Sequence, residues 1–242
     1  MMEGIRKKQQ LFLKRIGGNP MGKKKVNGIS KLQWIQTSYA LDGGELAAED
    51  VRLILSGRYA MTRSVQDHMT VNAYSRMLTY LYDCLAIKDK VDLSLMVHAN
   101  EMLSQDREEA GAQEIWRKTV PIVSHLELVP PHPQDVSFCL EQMLRRYYGK
   151  RESFDPLMRA CYVHNEFLRI YPFERNNEAT ARAMLNFELL AANLIPVAFT
   201  MDRDSYHRAV RAHLHKKDPI PFYQMIGDLL QDRLEQFLEM LS

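Results

Sequence analysis

Apolar positions recur at intervals of three and four along most of the chain, which is the spacing of one face of an α-helix. The clearest run contains Val136, Leu140, Met143, Leu144 and Tyr147. The pattern therefore predicts a mostly α-helical domain. Residues 120–128 differ, because β-branched side chains are concentrated there and favour one short pair of strands.

Proline and capping residues mark both ends of one predicted helix. Asp155 precedes Pro156, which places a capping side chain before a proline at the first helical position. We expect this helix to end near Ile170, because Tyr171 precedes a proline and is pushed out of helical geometry. A second helix is expected from about Ala179. The loop between them then faces a helix N-terminus, whose free N–H groups suit an anion.

The composition fits one large globular domain. The chain has 242 residues, of which 46% are hydrophobic and 26% charged, enough for a full-sized core. No apolar run approaches the roughly 20 residues of a membrane span, and no signal peptide is visible. We therefore expect a cytoplasmic protein, or one exported by a route that leaves no visible mark. Three scattered cysteines, Cys84, Cys139 and Cys161, predict reduced core residues.

Basic residues cluster near the N-terminus. The net charge of +2 says little about partners. The clustered basic residues are Arg6, Lys7, Lys8, Lys14, Arg15, Lys23, Lys24 and Lys25. Glycines and a proline lie among them, which predicts a solvated and flexible arm. A contact with nucleic acid or an anionic membrane surface is the alternative.

Residues 171–182, YPFERNNEATAR, resemble the signature of the Fic (Fido) family, H-P-F-x-[D/E]-G-N-G-R-x-x-R. The defining letters that survive are Pro172, Phe173, Asn177 and Arg182. Members of the family transfer AMP or another phosphate-containing group from a nucleotide to a protein hydroxyl. The resemblance implies an all-α Fic-like domain with one short β-hairpin flap and a nucleotide cleft beside this loop.

Residues 32–55 resemble the family's N-terminal inhibitory helix and the helix after it. The positions of the inhibitory motif are Ser38, Asp42 and Gly43 here. In autoinhibited relatives an acid of this helix pairs with the last motif arginine, so the resemblance implies a pair between Asp42 and Arg182. We predict three parts on this basis: a basic arm (1–28), inhibitory-type helices (29–60) and a Fic-like core (61–242).

Residues 111–136 resemble the flap that borders the family's cleft. In the family, the flap edge receives the target peptide by strand addition, which depends on backbone hydrogen bonds and tolerates sequence change. The edge would be formed here by Val120, Ile122 and Val123. The resemblance thus implies a protein partner or target at the flap and cleft. It leaves a homo-oligomer open.

Two replacements in the motif concern catalysis directly. Tyr171 stands where the family has its general base, a histidine. A tyrosine with an ordinary pKa of about 10 is ionised to roughly one part in a thousand at pH 7, so it is a poor base. Arg175 stands at the acidic position that holds Mg²⁺ in the family, and a guanidinium cannot bind a cation. The sequence therefore predicts no metal at this position.

The anion-binding turn of the motif is altered as well. Asn176, Asn177 and Glu178 replace the G-N-G triplet, and Ala179 replaces the first arginine. Asn176 can adopt left-handed geometry at modest cost. Glu178 adds negative charge close to where phosphates would lie. The residues left for binding nucleotide phosphates are Arg175, Asn176, Asn177 and Arg182.

We expect a Fic-fold protein that is catalytically impaired and acts by binding protein or nucleotide. The alternative is an active nucleotide- or phosphate-transferring enzyme, in which Arg175 replaces the metal and Tyr171 acts as base, nucleophile or acceptor. That alternative implies ATP or ADP bound without Mg²⁺. The third hypothesis is contact of the basic arm with nucleic acid or a membrane surface.

Overall fold

A computed structural model describes residues 1–88, 90–104 and 116–242. As the periodicity predicted, most of these residues fold into α-helices. The helices are α1 (Met2–Gly17), α2 (Pro20–Leu41), α3 (Ala48–Leu55), α4 (Val65–Ala86), α5 (Leu93–Leu103), α6 (Val136–Gly149), α7 (Pro156–Ile170), α8 (Asn177–Ala191), α9 (Arg203–Lys216) and α10 (Ile220–Met240). Among the described residues, none of these helices has the length and apolar character needed to cross a membrane.

Helices α7 and α8 pack against each other at the centre of the domain. Every residue from Ala179 to Leu189 is buried. A helix that is buried on all sides occupies the middle of a core rather than its surface. The loop that joins α7 to α8, which carries the motif, is therefore held between two rigid elements.

The boundaries of α7 follow the local signals in the sequence. The backbone N–H of Met158 donates to Asp155 Oδ1 at 2.8 Å, so Asp155 caps the helix. The helix ends at Ile170 as predicted, but Tyr171 is left-handed, with φ 50° and ψ 60°, instead of extended. Helix α8 begins at Asn177, two residues earlier than expected.

The N-terminal segment is helical, which corrects the flexible arm predicted for residues 1–28. Ile5 and Phe12 of α1 are buried, and α1 packs on α10. Arg15 Nη1 also donates to a carbonyl in the last turn of α10 at 2.6 Å. Helix α2 then runs without a break across the predicted boundary after residue 28. The basic side chains dominate this segment's composition, but two apolar residues on one face are enough to dock it.

The predicted hairpin flap is reduced to one antiparallel bridge in the described residues. Val123 and Leu128 exchange backbone hydrogen bonds of 2.9 and 3.2 Å. A short 3-10 turn, Ser124–Leu126, lies between them. Pro121 has no N–H to donate, and Glu127 is left-handed with φ 52°, so the ladder does not continue on either side. Residues 111–115 of the predicted flap segment lie outside the described residues.

Candidate functional site

A cavity of about 450 Å³ lies where the motif loop meets the end of α2, the start of α4 and the flap. This volume is in the range of pockets that bind small molecules. The motif loop and the first turn of α8 contribute Tyr171, Arg175, Asn176, Asn177, Glu178 and Ala179. The other elements contribute Tyr39, Asp42, Thr70, Tyr74 and His125, among others. The structure thus gathers most of the predicted nucleotide-site residues around one space.

Tyr171 occupies the motif histidine position at the edge of this cavity. Burial, together with the negative charges of Glu178 and Asp42, raises the pKa of Tyr171 to about 12. At pH 7 only about one hydroxyl in 10⁵ is then ionised. The structure therefore leaves less of Tyr171 in its basic, ionised form at pH 7 than an exposed tyrosine would have. Its hydroxyl remains able to donate or accept hydrogen bonds.

Two asparagines fix the shape of the motif loop. The backbone N–H of Phe173 donates to Asn177 Oδ1 at 2.9 Å, and Asn177 Nδ2 donates to the carbonyl of Phe173 at 2.7 Å. Both polar atoms of this buried side chain therefore bond the loop itself. Asn176 has the left-handed φ of 58° expected of it. Its Nδ2 donates to Ser104 Oγ at 2.9 Å.

Arg175 lines the cavity with its side chain exposed. Its carbonyl accepts a hydrogen bond of 2.9 Å from Asn100 Nδ2, which fixes the backbone. No described residue forms an ion pair or a hydrogen bond with its guanidinium. The group is therefore available to an anion that enters the cavity from solvent.

The structure brings Asp42 and Arg182 into contact. Arg182 is completely buried, and its Nη2 donates to Asp42 Oδ1 at 2.5 Å and to the carbonyl of Ser38 at 3.1 Å. The other oxygen of Asp42 accepts from the hydroxyl of Tyr74 at 2.6 Å. Burial lowers the pKa of Arg182, but Asp42, Tyr74, Tyr206 and Glu178 together raise it well above its usual range, so the guanidinium stays protonated. Gly43 follows with a φ of 94°, which favours glycine where α2 turns away.

Glu178 is paired with two histidines that the sequence interpretation did not place at the site. His125 Nε2 donates to Oε1 at 2.6 Å, and His207 Nε2 donates to Oε2 at 3.1 Å. Burial would raise the pKa of Glu178, but these two hydrogen bonds and the positive charge of Arg182 together hold the pKa well below its usual range. The histidines lie 53 and 29 positions from Glu178 in the chain, so no local spacing indicates the cluster.

Arg117 fastens the flap to the motif loop. Its backbone N–H donates to the carbonyl of Pro172 at 2.9 Å, and its Nε donates to the carbonyl of Tyr171 at 2.8 Å. The Nη groups bond the carbonyls of Thr119 and Pro131, on two sides of the flap. This buried arginine therefore holds Tyr171 and the flap in a fixed relation.

The three flap residues predicted to receive a peptide differ in accessibility. Ile122 is 78% exposed and Val120 is 38% exposed, whereas Val123 is buried. Val129, on the other side of the bridge, is 68% exposed. The outer side of the flap therefore presents apolar side chains to solvent.

The model of the Fic/DOC family matches residues 90–189, which contain α5, the flap, the motif loop and most of α8. The fold is similar to a Fic domain containing signaling protein from Bacteroides thetaiotaomicron VPI-5482. That match has a TM-score of 0.84 and 16% identity, and covers 98% of this chain and 97% of that chain. Fic-1 from C. elegans gives a TM-score of 0.80 at 16% identity, over 99% of this chain and 72% of that chain.

A more distant similarity is to IbpAFic2, whose structure was solved in complex with adenylylated Cdc42. The TM-score is 0.50 and the identity 17%, over 99% of this chain and 77% of that chain. At such identities these solved structures establish a shared fold. The chemistry of this chain depends on the residues that it places around the cavity.

Proposed function

We propose that the chain, whose residues 90–189 match the model of the Fic/DOC family, is a Fic-fold module impaired in AMP transfer that acts by binding. Its fold is related to that of AMPylating enzymes. The observation that carries the proposal is the environment of Tyr171. It replaces the one group that the family's reaction needs as a proton acceptor.

A general base works best when its pKa lies near the operating pH. The pKa of Tyr171 is raised to about 12, so its acceptor form is almost absent at pH 7. Loss of general-base catalysis typically costs about 10²- to 10⁴-fold in rate. The same burial that suppresses ionisation suits a side chain that fills space at the end of α7.

The phosphate-binding positions support the same proposal. Arg175 replaces the acid that would hold Mg²⁺, and Arg182 is buried and engaged by Asp42. Glu178 brings a carboxylate to the first turn of α8, where phosphate oxygens would otherwise be received. A nucleotide placed as in an active family member would therefore lack its metal and meet negative charge.

Binding of a protein partner would use the outer flap. Ile122 and Val129 expose apolar side chains there, and among the described residues the single bridge leaves most backbone groups of this segment without a ladder partner. An extended peptide can pair with such a segment through its backbone. We infer that the flap and the neighbouring cleft form the partner surface.

Metal-free nucleotide binding is a second candidate function, which one observation favours. The guanidinium of Arg175 faces the cavity and has no partner among the described residues. Residues 177–179, in the first turn of α8, also line the cavity, and the N–H groups of a first helical turn have no partner within their own helix. Together they offer donors for phosphate oxygens without a metal ion.

Calorimetric titration with ATP and ADP, in Mg²⁺ and in EDTA, tests both candidates. We expect Mg²⁺ to leave the nucleotide affinity within about twofold, because Arg175 has replaced its ligand. Micromolar binding in EDTA that is lost in Arg175→Ala and kept in Arg208→Ala, an exposed arginine of α9, establishes the second candidate. An affinity that Mg²⁺ raises tenfold or more contradicts the proposed impairment.

A further inference from the structure

Three metal-ligating side chains meet at the edge of the cavity, each from a different element. His125 lies in the 3-10 turn of the flap, Glu178 in the first turn of α8 and His207 in the second turn of α9. One ligand atom from each lies within 4.8 Å of the other two. The two imidazole rings are 4.5 Å apart, centroid to centroid.

The cluster is held in place by its surroundings. Arg211 Nη1 donates to the carbonyl of His125 at 2.7 Å, and His215 Nε2 lies 3.0 Å from the carbonyl of Leu126. These contacts fasten the flap turn to α9, the helix that carries His207. Since Glu178 belongs to the central helix, all three ligands are fixed by rigid parts of the domain.

The donor set identifies the kind of ion. Two imidazole nitrogens and one carboxylate oxygen form a set that Zn²⁺ uses with an open fourth position, whereas Mg²⁺ and Ca²⁺ prefer oxygen ligands. We propose that His125, Glu178 and His207 form a binding site for Zn²⁺ or a similar divalent transition-metal ion. This site is distinct from position 175, where the family motif would place Mg²⁺.

The observed distances need only a small adjustment for such an ion. Ligands at about 2.1 Å from a tetrahedral ion lie about 3.4 Å from each other. The two histidine nitrogens are now 2.6 and 3.1 Å from the carboxylate oxygens. Binding would replace the two shared protons with the ion, and since the ligand atoms all lie within 4.8 Å of one another, their separations would change by less than about 1.5 Å.

The charges around the cluster are balanced enough to admit a cation. The fourth coordination position of that ion would face the cavity. Arg182 acts on Glu178 electrostatically, but Asp42 balances its charge. His125 and Glu178 also line the cavity. An ion held by them therefore borders the cavity, where its fourth position can take water or an anionic oxygen of a ligand.

The test is Zn²⁺ titration of the full chain after treatment with EDTA and removal of the chelator. We expect one ion per chain with micromolar or tighter affinity. His125→Gln, His207→Gln and Glu178→Gln should each weaken binding by at least tenfold, because the loss of even a residue that only orients a ligand typically costs about 10- to 100-fold in metal affinity. His213→Gln is the matched control, because His213 bonds Glu166 at 2.9 Å in a pair that has no second histidine.

Cobalt supplies a readout that does not depend on the heat of binding. Co²⁺ bound by nitrogen and oxygen ligands should give visible d–d bands without the intense thiolate band that a cysteine ligand adds. Circular dichroism checks that each variant is folded, and His125→Gln remains informative if the buried substitutions unfold the chain. Failure of the wild type to bind Zn²⁺ at 100-fold excess overturns the proposal. So does wild-type affinity in a folded His125→Gln variant.

Discussion

Arg182 Nη2 lies 2.5 Å from Asp42 Oδ1, although the two residues are 140 positions apart in the chain. The arginine is fully buried in the central helix, while the aspartate side chain is 30% exposed at the cavity. The pair joins the end of α2 to α8. The contact engages Arg182, the one arginine of the family motif that this chain keeps. The hydrogen bond that joins the two helices therefore also competes with any phosphate that would bind this arginine.

Removal of the carboxylate should destabilise the fold strongly. Asp42→Ala leaves a buried guanidinium without its counter-charge, which typically costs about 3–5 kcal/mol. Tyr74→Phe is the matched control, since it removes the hydroxyl that donates to Asp42, keeps both charges and should cost about 1 kcal/mol. Urea denaturation measures both free energies of unfolding. A loss below about 1 kcal/mol in Asp42→Ala would mean that water compensates the arginine.

Arg117 should control the order of the flap. Arg117→Ala removes the donor to four carbonyls, and each buried acceptor left unpaired costs about 1–3 kcal/mol before water enters. We expect amide exchange in residues 116–131 to accelerate in the variant, while α7 and α8 stay protected. Arg208→Ala, on the exposed face of α9, should leave exchange unchanged. Equal flap protection in the Arg117 variant would rule out this fastening role.

Stability should fall in mild acid because of His164. This ring is fully buried between Asn165 Oδ1 and the hydroxyl of Tyr206, at 2.8 and 2.9 Å. Burial lowers the pKa of His164 to about 3, whereas the unfolded chain should have the ordinary value near 6.5. The unfolded state therefore takes up the proton first. The contribution of neutral His164 to the free energy of unfolding is complete above about pH 6.5 and is lost as the pH falls towards 3.

From pH 7.5 to pH 5 this linkage should remove about 2 kcal/mol from the free energy of unfolding. Urea denaturation at several pH values measures it. His164→Gln cannot take up the proton, so its stability should change less across the same pH interval, even if it is lower throughout. Parallel pH profiles for the variant and the wild type would show that another group dominates.

The central part of the fold was predictable because its signals are local. Asp155 and Pro156 start α7, and the proline after Tyr171 ends it, so neighbouring residues alone place the motif loop. The N-terminal arm was mispredicted for the opposite reason. Ile5 and Phe12 become informative only once α10 supplies the surface that they bury. No local signal carries that contact.

In the candidate site, too, some residues could be predicted from the sequence and others could not. The pair of Asp42 and Arg182 was anticipated from two segments that resemble one family, so its prediction depended on the family and not on spacing. His125 and His207 were not anticipated, because the cluster around Glu178 forms only when three separate elements pack together. The motif loop suggested that the Glu178 carboxylate is unpaired, whereas in the folded chain His125 and His207 donate hydrogen bonds to it.

The most direct measurement is transfer of AMP from ATP labelled at the α-phosphate, with Mg²⁺ present. The purified chain is incubated with the label alone and with an extract of soluble proteins, beside a Tyr171→Phe variant that keeps the ring and loses the hydroxyl. We predict no protein-bound label above background in either sample, since Tyr171 with a pKa raised to about 12 does not serve as the base. Stable labelling by the wild type that disappears in Tyr171→Phe would contradict the proposed impairment and establish an active transferase.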